Sequence, residues 1–496
     1  MARRYSRTVY ITNNVERYIE SVDMEVLPDR VAASFDGLTV LISGGTGFMG
    51  KVLVERLLRK CNVKQIVLII RSKKGNNASE RLKIIFQNPL FEKLIAAKGL
   101  DTILAKMKVV NGDMTAPDLD LSPPDRQYIV ENVDMIVHAA ATIRFDEILR
   151  KAILLNVRGT KLMTELAKEC KKLKLFIHIS TAYCHLHEKL LDEKPYPPPA
   201  DPHAIIACPF ILRFLANQPN SYAYTKALGE GLVVEAMEAG LPVLILRPSI
   251  VIPIIWDPLP GWTDNINGPT GLLIGAGKGV IRSMYCRPDS YADYLPVDVF
   301  ISGIMVVAWT TIYNFTSSAE VKVTWSELIE IGRSIILNKV PLNGVAWYPG
   351  GSMKHNRLHH NFCLVMFHWL PAILVDALLY ILRYDPVMIR VQKRIRKGFE
   401  VFEYYTSNQW DFKSDNGRAL RELLNAKEKV DYKVDLDPLE YFENCVRAAR
   451  RYILKETDDT IPAAKRHMFV MWCVDRLVRF LFWAWVLWSI YKYFFY

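Results

Sequence analysis

No C-x-x-C pair and no regular cysteine spacing occurs in this 496-residue chain, whose eight cysteines (Cys61, Cys170, Cys184, Cys208, Cys286, Cys363, Cys445 and Cys473) are scattered. That usage excludes a zinc-ribbon site and a disulfide framework and points to reduced thiols in a reducing compartment. The first twenty residues, MARRYSRTVYITNNVERYIE, carry basic side chains but no apolar core behind them, so we expect no secretory signal peptide. Glycine and proline stay at 25 and 26 residues and hydrophobic residues make up 51%, which excludes collagen-like, low-complexity and disordered classes. A chain this long, at about 100–200 residues per domain, holds two or three folded units.

Acidic residues are the scarcer charge: 63 Lys and Arg stand against 52 Asp and Glu, a formal net charge of +11. The excess suits an anionic partner, whether a phosphorylated cofactor, nucleic acid or an acidic membrane. Nothing beyond net charge favours nucleic acid, and none is expected.

Charge is missing altogether from Phe480 to Tyr491, inside the aromatic run Phe480–Tyr496 (FLFWAWVLWSIYKYFFY). Twelve uncharged residues make about 18 Å of helix, short of a hydrocarbon core of roughly 30 Å. A full span starting at Met468 would have to accommodate Asp475, Arg476 and Arg479. Aromatic rings favour the bilayer interface and basic side chains snorkel, so the tail is expected to be a membrane anchor, as a tail span or a monotopic insertion. A second apolar stretch, Phe362–Tyr380, is interrupted by His368, Pro371 and Asp376 and reads as a helix pair packed over the core or lying on lipid. Downstream, Arg383, Arg390, Lys393, Arg394, Arg396 and Lys397 read either as a solvated helix face or as a contact for anionic headgroups.

The N-terminal half alternates apolar runs with helical periods, the pattern of a doubly wound parallel α/β sheet of Rossmann type. Leu38–Ser43 predicts a first strand running into Gly44-Gly45-Thr46-Gly47-Phe48-Met49-Gly50 and then a helical run. Gly44, Gly47 and Gly50 stand in strand–turn–helix context, where one permits the tight turn, one lets backbone approach a pyrophosphate and one permits close helix packing. A second strand, Gln65–Arg71, ends in Arg71, Lys73 and Lys74, followed by Arg81, where an acidic residue would favour NAD. Cations there favour the 2′-phosphate of NADPH. The third predicted strand, Met107–Asn111, delivers Asp113 to accept from the adenine amine, and the fourth, Met135–Val137, delivers His138 and Ala139, with backbone to lie against the cofactor.

The fifth predicted strand, Leu175–Ile179, ends in Ser180 and Thr181. Further on, Tyr222 and Lys226 fall four residues apart on one face of a helix, a spacing that lets an ammonium lower the phenol's pKa and also touch the nicotinamide ribose. Tyr224 competes with Tyr222 but has Leu228 where a lysine would be needed.

With these elements the chain resembles the extended short-chain dehydrogenase/reductase superfamily and, within it, the alcohol-forming fatty acyl-CoA reductases. The matching segments are SGGTGFMGKVLVERLLR, HAAATIRFDE, NVRGT, HISTAYC, NSYAYTKALGE, LRPSIV and PGWTDNINGPTG, with FHWLPAILVDALL and EYYTSNQWDF further on. The resemblance implies Tyr222 and Lys226 as the catalytic pair, Thr181 or Ser180 as a hydroxyl holding the substrate oxygen, and Asn156 as support for the lysine. Trp262, Asp264 and Asn267 receive no role. The implied layout is an N-terminal segment (1–34), a reductase domain with a substrate lobe (35–350), a mainly helical C-terminal domain (351–460) and the membrane anchor (465–496). The implied reaction takes a long-chain acyl-CoA through an aldehyde to a primary alcohol with NADPH. A membrane-bound hydroxysteroid dehydrogenase, which would not require PGWTDNINGPTG or the long helical domain after residue 350, and a non-catalytic membrane scaffold, against which the intact glycines, Tyr222 and Lys226 argue, are the rival readings.

Membrane lipid is the second expected partner, homo-oligomerisation is left open, and no metal is expected. The catalytic domain should face the cytosol. With no C-terminal SKL or KDEL, the endoplasmic reticulum is favoured and the peroxisome is second.

Overall fold

The computed structural model describes residues 27–72, 75, 77–207, 219–264, 266, 268–307, 312–318, 322–432 and 437–495. Lys73, Lys74, Cys208 and Asn267 therefore lie outside the described residues. Two compact units are present. The first comprises Met1–Val251, Val297–Thr316 and Phe412–Asp435, and the second Ile252–Pro296, Ser317–Asp411 and Leu436–Tyr496. The units interleave along the chain, so division at residue 350 does not describe them: packing joins residues far apart in sequence.

Unit 1 is built on seven parallel strands: β1 (Thr39–Ser43), β2 (Gln65–Ile70), β3 (Met107–Asn111), β4 (Met135–His138), β5 (Leu175–Ile179), β6 (Val243–Pro248) and β7 (Ile312–Phe315). Their spatial order is 3-2-1-4-5-6-7, all neighbours parallel. Helices cover both faces of such a sheet, which is why β1 and β6 are buried at every position rather than at alternate ones. Leu41, Val67, Val110, Ile136, Phe176 and Ile245 contribute to one continuous core. Strand order reverses between β1 and β4, and the crevice at their carboxyl ends is where such folds take a dinucleotide. Helix α1 (Phe48–Lys60) follows β1, α2 (Gly159–Glu169) precedes β5, and α3 (Ser221–Glu238) precedes β6.

Unit 2 is mainly helical: α4 (Pro269–Gly277), α5 (Trp325–Ser334), α6 (Arg357–Ile381), α7 (Met388–Ser407), α8 (Pro438–Ala448) and α9 (Ile461–Phe495). Where the sequence suggests a helix pair over Phe362–Tyr380, the structure has one helix, α6, running through a π turn at Val365–Trp369. The wider turn accommodates Pro371, which has no N–H to give the preceding turn. The family-like segment at Pro260–Gly271 leads into α4. Gly261 has φ +76° and lies so close to α8 that a Cβ would sit 2.1 Å from the Asn444 carbonyl oxygen. Trp262 is fully buried and Asp264 is exposed.

An almost wholly apolar cavity opens in unit 2. Leu272, Leu273, Ile281, Ile336, Met353 and Phe442 are among its walls.

Helix α9 is continuous over 35 residues but has two characters. Ala464, Met468 and Asp475 are buried, and Asp475 accepts from Trp347 Nε1 at 2.7 Å and pairs with Arg479 at 2.8 Å. From Phe480 onward the large side chains are exposed. Within the stretch 465–496, expected to be an anchor, Met468 and Asp475 are thus docked against the rest of unit 2. Among the described residues one helix is long and apolar enough to cross a membrane, and it is α6 rather than the tail.

Candidate active site

The turn after β1 is shaped by what its glycines leave out. Gly44 has φ +78°, and a Cβ there would lie 2.8 Å from Ala140 N and 2.9 Å from the Ala139 carbonyl carbon. At Gly50 a Cβ would fall 2.3 Å from Gly44 O, so only glycine lets α1 start against the turn. Gly47 is the N-cap of α1 and has no side chain to occupy the helix's first N–H groups. Thr46, Gly47, Phe48 and Met49 reach the surface of the turn. A backbone cradle at a helix N-terminus, cleared of Cβ atoms, fits a dinucleotide's pyrophosphate.

Two guanidinium groups gather at the end of β2. Arg71 Nη1 lies 3.5 Å from Asp113 Oδ2, and Arg81 Nη1 donates to the Arg71 carbonyl at 2.5 Å. Partial burial works against the charge on Asp113, but the Thr115 amide and hydroxyl, then Arg71, hold its carboxyl below the usual range. Arg71 and Asp113, chosen separately from sequence, thus touch one another.

His138 does not present its ring to the turn. The imidazole is buried, 2.7 Å from Ser43 Oγ and 3.0 Å from Thr160 Oγ1, and burial, helped by the Lys226 charge, pushes its pKa down to about 3. The neighbours fix its tautomer: Ala140 N donates to Ser43 Oγ, Ser43 donates to Nδ1, Nε2–H donates to Thr160, and Thr160 donates to the Asn156 carbonyl at 2.8 Å. A cofactor contact at His138 and Ala139 is therefore a matter of backbone.

Asn156 sits in a π turn at Ile153–Arg158. Its Oδ1 accepts from Thr142 N at 2.9 Å, and its Nδ2 donates to Thr142 O and Thr225 Oγ1. Both ends of the carboxamide thus have partners in Thr142 and Thr225. Close approach of the two segments depends on Gly229, where a Cβ would lie 2.6 Å from Asn156 O.

Helix α3 begins with the Asn220 side chain accepting from Ala223 N and carries Tyr222, Lys226 and Glu230 at successive fourth positions. Tyr222 is partly exposed and packs edge-on against Phe145, with ring centroids 5.4 Å apart. Burial pushes its phenol up to about 12, against the opposing effect of the nearby Thr181 hydroxyl. Lys226 does not depress the phenol as the spacing alone suggests. Its Nζ donates to the Ile179 carbonyl at 2.5 Å, and burial lowers its own pKa to about 8. Tyr224 is fully buried with Ile153, Val157, Leu228 and Leu232 around it, and its hydroxyl has no partner among the described residues. Burial, beyond the missing lysine, separates it from Tyr222.

Ser180 and Thr181 diverge. Thr181 neighbours Tyr222 and acts on its phenol against the effect of burial, its own hydroxyl donating to the Pro248 carbonyl at 3.4 Å, whereas Ser180 donates to Glu230 Oε2 at 2.6 Å. Sequence reasoning missed Glu230 and its partners. Arg247 donates to it at 3.1 and 2.5 Å, and His185 Nε2 lies 3.1 Å from Oε1. Burial opposes the charge on Glu230, and Arg247 with His185 overcomes it, holding the carboxyl well below the ordinary range. The available signal was charge in apolar runs: Arg247 within VLILRP and Glu230 within KALGEGLVV. Cys184, His185 and Glu230 form the one cluster of metal-ligand type among the described residues, but Arg247 already neutralises the carboxylate.

Together the sheet order, the glycine-rich turn and the tyrosine–lysine helix define a dinucleotide-binding oxidoreductase of the extended short-chain type. Solved structures show the same fold. The terminal R domain of the myxalamid PKS-NRPS pathway gives a TM-score of 0.57 at 19% identity, covering 88% of this chain and 98% of that one. The reductase domain of a non-ribosomal peptide synthetase from Mycobacterium tuberculosis gives 0.57 at 20% identity, covering 86% and 98%. Two family models, both described as male sterility protein, the first of them NAD-binding, match residues 42–304 and 367–456. Relatives include fatty acyl-CoA reductase 1 of Rattus norvegicus, 36% identical over 458 residues and covering 88% of each chain. Fatty acyl-CoA reductase wat of Drosophila melanogaster is 33% identical over 477 residues, 91% of each. The chain belongs to the fatty acyl-CoA reductase family.

Proposed function

We propose that this chain is an NADPH-dependent, alcohol-forming reductase of long-chain acyl-CoA. The observation that carries this reading is the grouping of Tyr222, Thr181 and Lys226 at the end of β5, in a chain of the fatty acyl-CoA reductase family. When bound, the dinucleotide supplies hydride, two in succession for each acyl group. The turn Gly44–Gly50 would hold its pyrophosphate, Asp113 its adenine, Arg71 with Arg81 its 2′-phosphate, and Lys226 its nicotinamide ribose.

Tyr222 and Thr181 donate to the thioester oxygen as negative charge develops there. Proton transfer to that oxygen gives a hemithioacetal, whose collapse breaks the C–S bond and releases CoA thiolate and an aldehyde. In the second half-reaction Tyr222 gives its proton to the alkoxide. Overall, acyl-CoA, two NADPH and two protons become primary alcohol, CoA and two NADP+. A phenol held near 12 stays protonated at neutral pH, as a donor must. Unit 2's cavity has the chemistry an aliphatic chain requires. The exposed aromatic end of α9 supports attachment to a membrane, with the catalytic unit facing the cytosol.

Incubation of the purified protein with NADPH or NADH and acyl-CoAs of graded length tests the reading. Alcohol formed with two NADPH consumed is expected. Aldehyde alone would remove the second half-reaction, equal use of NADH would overturn the assignment at Arg71, and turnover of hydroxysteroids instead of acyl-CoA would favour the rival enzyme class.

A further inference from the structure

Helix α6 is amphipathic with its polarity reversed. Its buried stripe contains His360, Cys363, His368, Ala372 and Asp376, spaced over four turns. From Phe362 onward its outward face is apolar, with Phe362, Leu374, Leu378 and Ile381 each more than half exposed, whereas Arg357, His359 and Asn361 stand exposed at its start. The polar residues of the buried stripe have internal partners. His360 Nδ1 lies 2.8 Å from Ser283 Oγ. His368 Nε2 accepts from Arg282 N and Ser283 N at 3.0 and 3.2 Å, so Nδ1 carries the proton toward Gln392 Oε1 at 3.2 Å. Asp376 accepts from the backbone N–H groups of Val387, Met388 and Ile389 and so caps α7.

Two further features bear on what covers this face. The stretch after α6 and the start of α7 expose Arg383, Arg390, Lys393, Arg394, Arg396 and Lys397, a basic set beside an apolar strip. Attachment is also continuous along α6: to the strand Ser283–Tyr285 near its start, to Gln392 midway and to the N-terminus of α7 near its end. A helix of 25 residues is long enough to cross a bilayer, but α6 could cross only by drawing the cations of α7 into hydrocarbon with it.

We propose that α6 lies in the plane of an anionic membrane surface, with its outward side chains among the acyl chains and the cations of α7 at the headgroups. Apolar area supplies the insertion and basic side chains supply the preference for acidic lipid. The contact is separate from the aromatic end of α9. Arg282 and Ser283, which line the unit 2 cavity, hydrogen-bond to the same helix through His368 and His360. The lipid-facing element thus forms part of the support of a cavity wall.

The test places a fluorescent noncanonical amino acid at Phe362, Leu370, Leu374 or Leu378 in the full-length protein, reconstituted in phosphatidylcholine vesicles with or without about 30% phosphatidylserine. Lipids brominated at shallow or deep acyl positions serve as quenchers. Similar quenching at all four sites, strongest with shallow bromines, is expected. Quenching that deepens toward the middle of the helix would show a span and overturn the proposal. Shielding from aqueous quencher without lipid quenching, with cross-links that rise with protein concentration, would show a second copy on this face and also overturn it. Arg390→Glu/Lys393→Glu/Arg394→Glu should cut quenching at Leu374 by about threefold or more in vesicles with phosphatidylserine and leave it unchanged in neutral ones. Equal quenching in both vesicle types for the parent would overturn the headgroup contact.

Discussion

Ser180 donates its hydroxyl proton to Glu230, 2.6 Å away, while the next residue, Thr181, stands beside Tyr222 and donates to the Pro248 carbonyl. Two adjacent hydroxyls at the end of one strand are thereby divided between a buried ion pair and the candidate site. Thr181→Ala should therefore lower kcat by about 10²-fold with little change in melting temperature. Ser180→Ala should keep most activity and cost about 1–2 kcal/mol of stability, because Glu230 loses a buried donor. Steady-state kinetics and thermal unfolding of both variants check the division, and the reverse pattern would return Ser180 to the site.

Tyr222→Phe should abolish alcohol formation, with losses of about 10²–10³-fold or more in each half-reaction, while NADPH binding stays within a few-fold of the parent. Tyr224→Phe should remain active and be neutral or stabilising, since it removes a buried hydroxyl without a partner. Lys226→Ala should lose activity and bind NADPH more weakly. Separate assays of acyl-CoA and aldehyde reduction, with fluorescence titration of the cofactor, distinguish the three.

Lys226 sets the alkaline limb. Burial lowers its pKa to about 8, so its charge is present below that pH and lost as pH rises through it. Tyr222, held near 12, keeps its proton across the same range. For NADPH, kcat/KM reports the free enzyme and should fall as pH rises through about 8. The same shift makes stability rise between about 8 and the ordinary lysine range, because there the unfolded chain binds the proton that the native one has released. A limb only above pH 10 would sever Lys226 from cofactor binding.

Arg71→Glu places a carboxylate where a guanidinium now meets Asp113. The KM for NADPH should rise about 30-fold, equivalent to about 2 kcal/mol, with the KM for acyl-CoA nearly unchanged. Relative use of NADH, measured with the same preparation, should increase.

Truncation should depend on where α9 is cut. Removing Phe480–Tyr496 takes away exposed aromatic residues and should reduce retention in carbonate-washed membranes without a large change in melting temperature. Removing Met468–Tyr496 also takes away Met468 and Asp475, leaving Trp347 and Arg282 without their buried carboxylate, and should lower the melting temperature by several degrees. Sedimentation and calorimetry of both truncations separate anchoring from stability.

The sequence by itself determined the parallel sheet, the turn Gly44–Gly50 and the pairing of Tyr222 with Lys226, because each depends on local order: apolar runs of strand length, glycines at fixed offsets, and a four-residue helical repeat. It also carried the segments that mark the family. Tertiary structure decided what depends on which distant residue fills the space beside a side chain. Ser180 and Thr181 are equivalent hydroxyls until Glu230, fifty residues on, takes one of them. His138 follows a strand like a cofactor residue, yet Ser43 and Thr160 enclose its ring. Helix α6 reads as an apolar run broken by polar residues, and only Ser283, Gln392 and the backbone at Val387–Ile389 show that His360, His368 and Asp376 turn inward. The interleaving of the two units is of the same kind: burial is a property of the folded assembly of segments, and a linear pattern records only which residues need burial, not what will bury them.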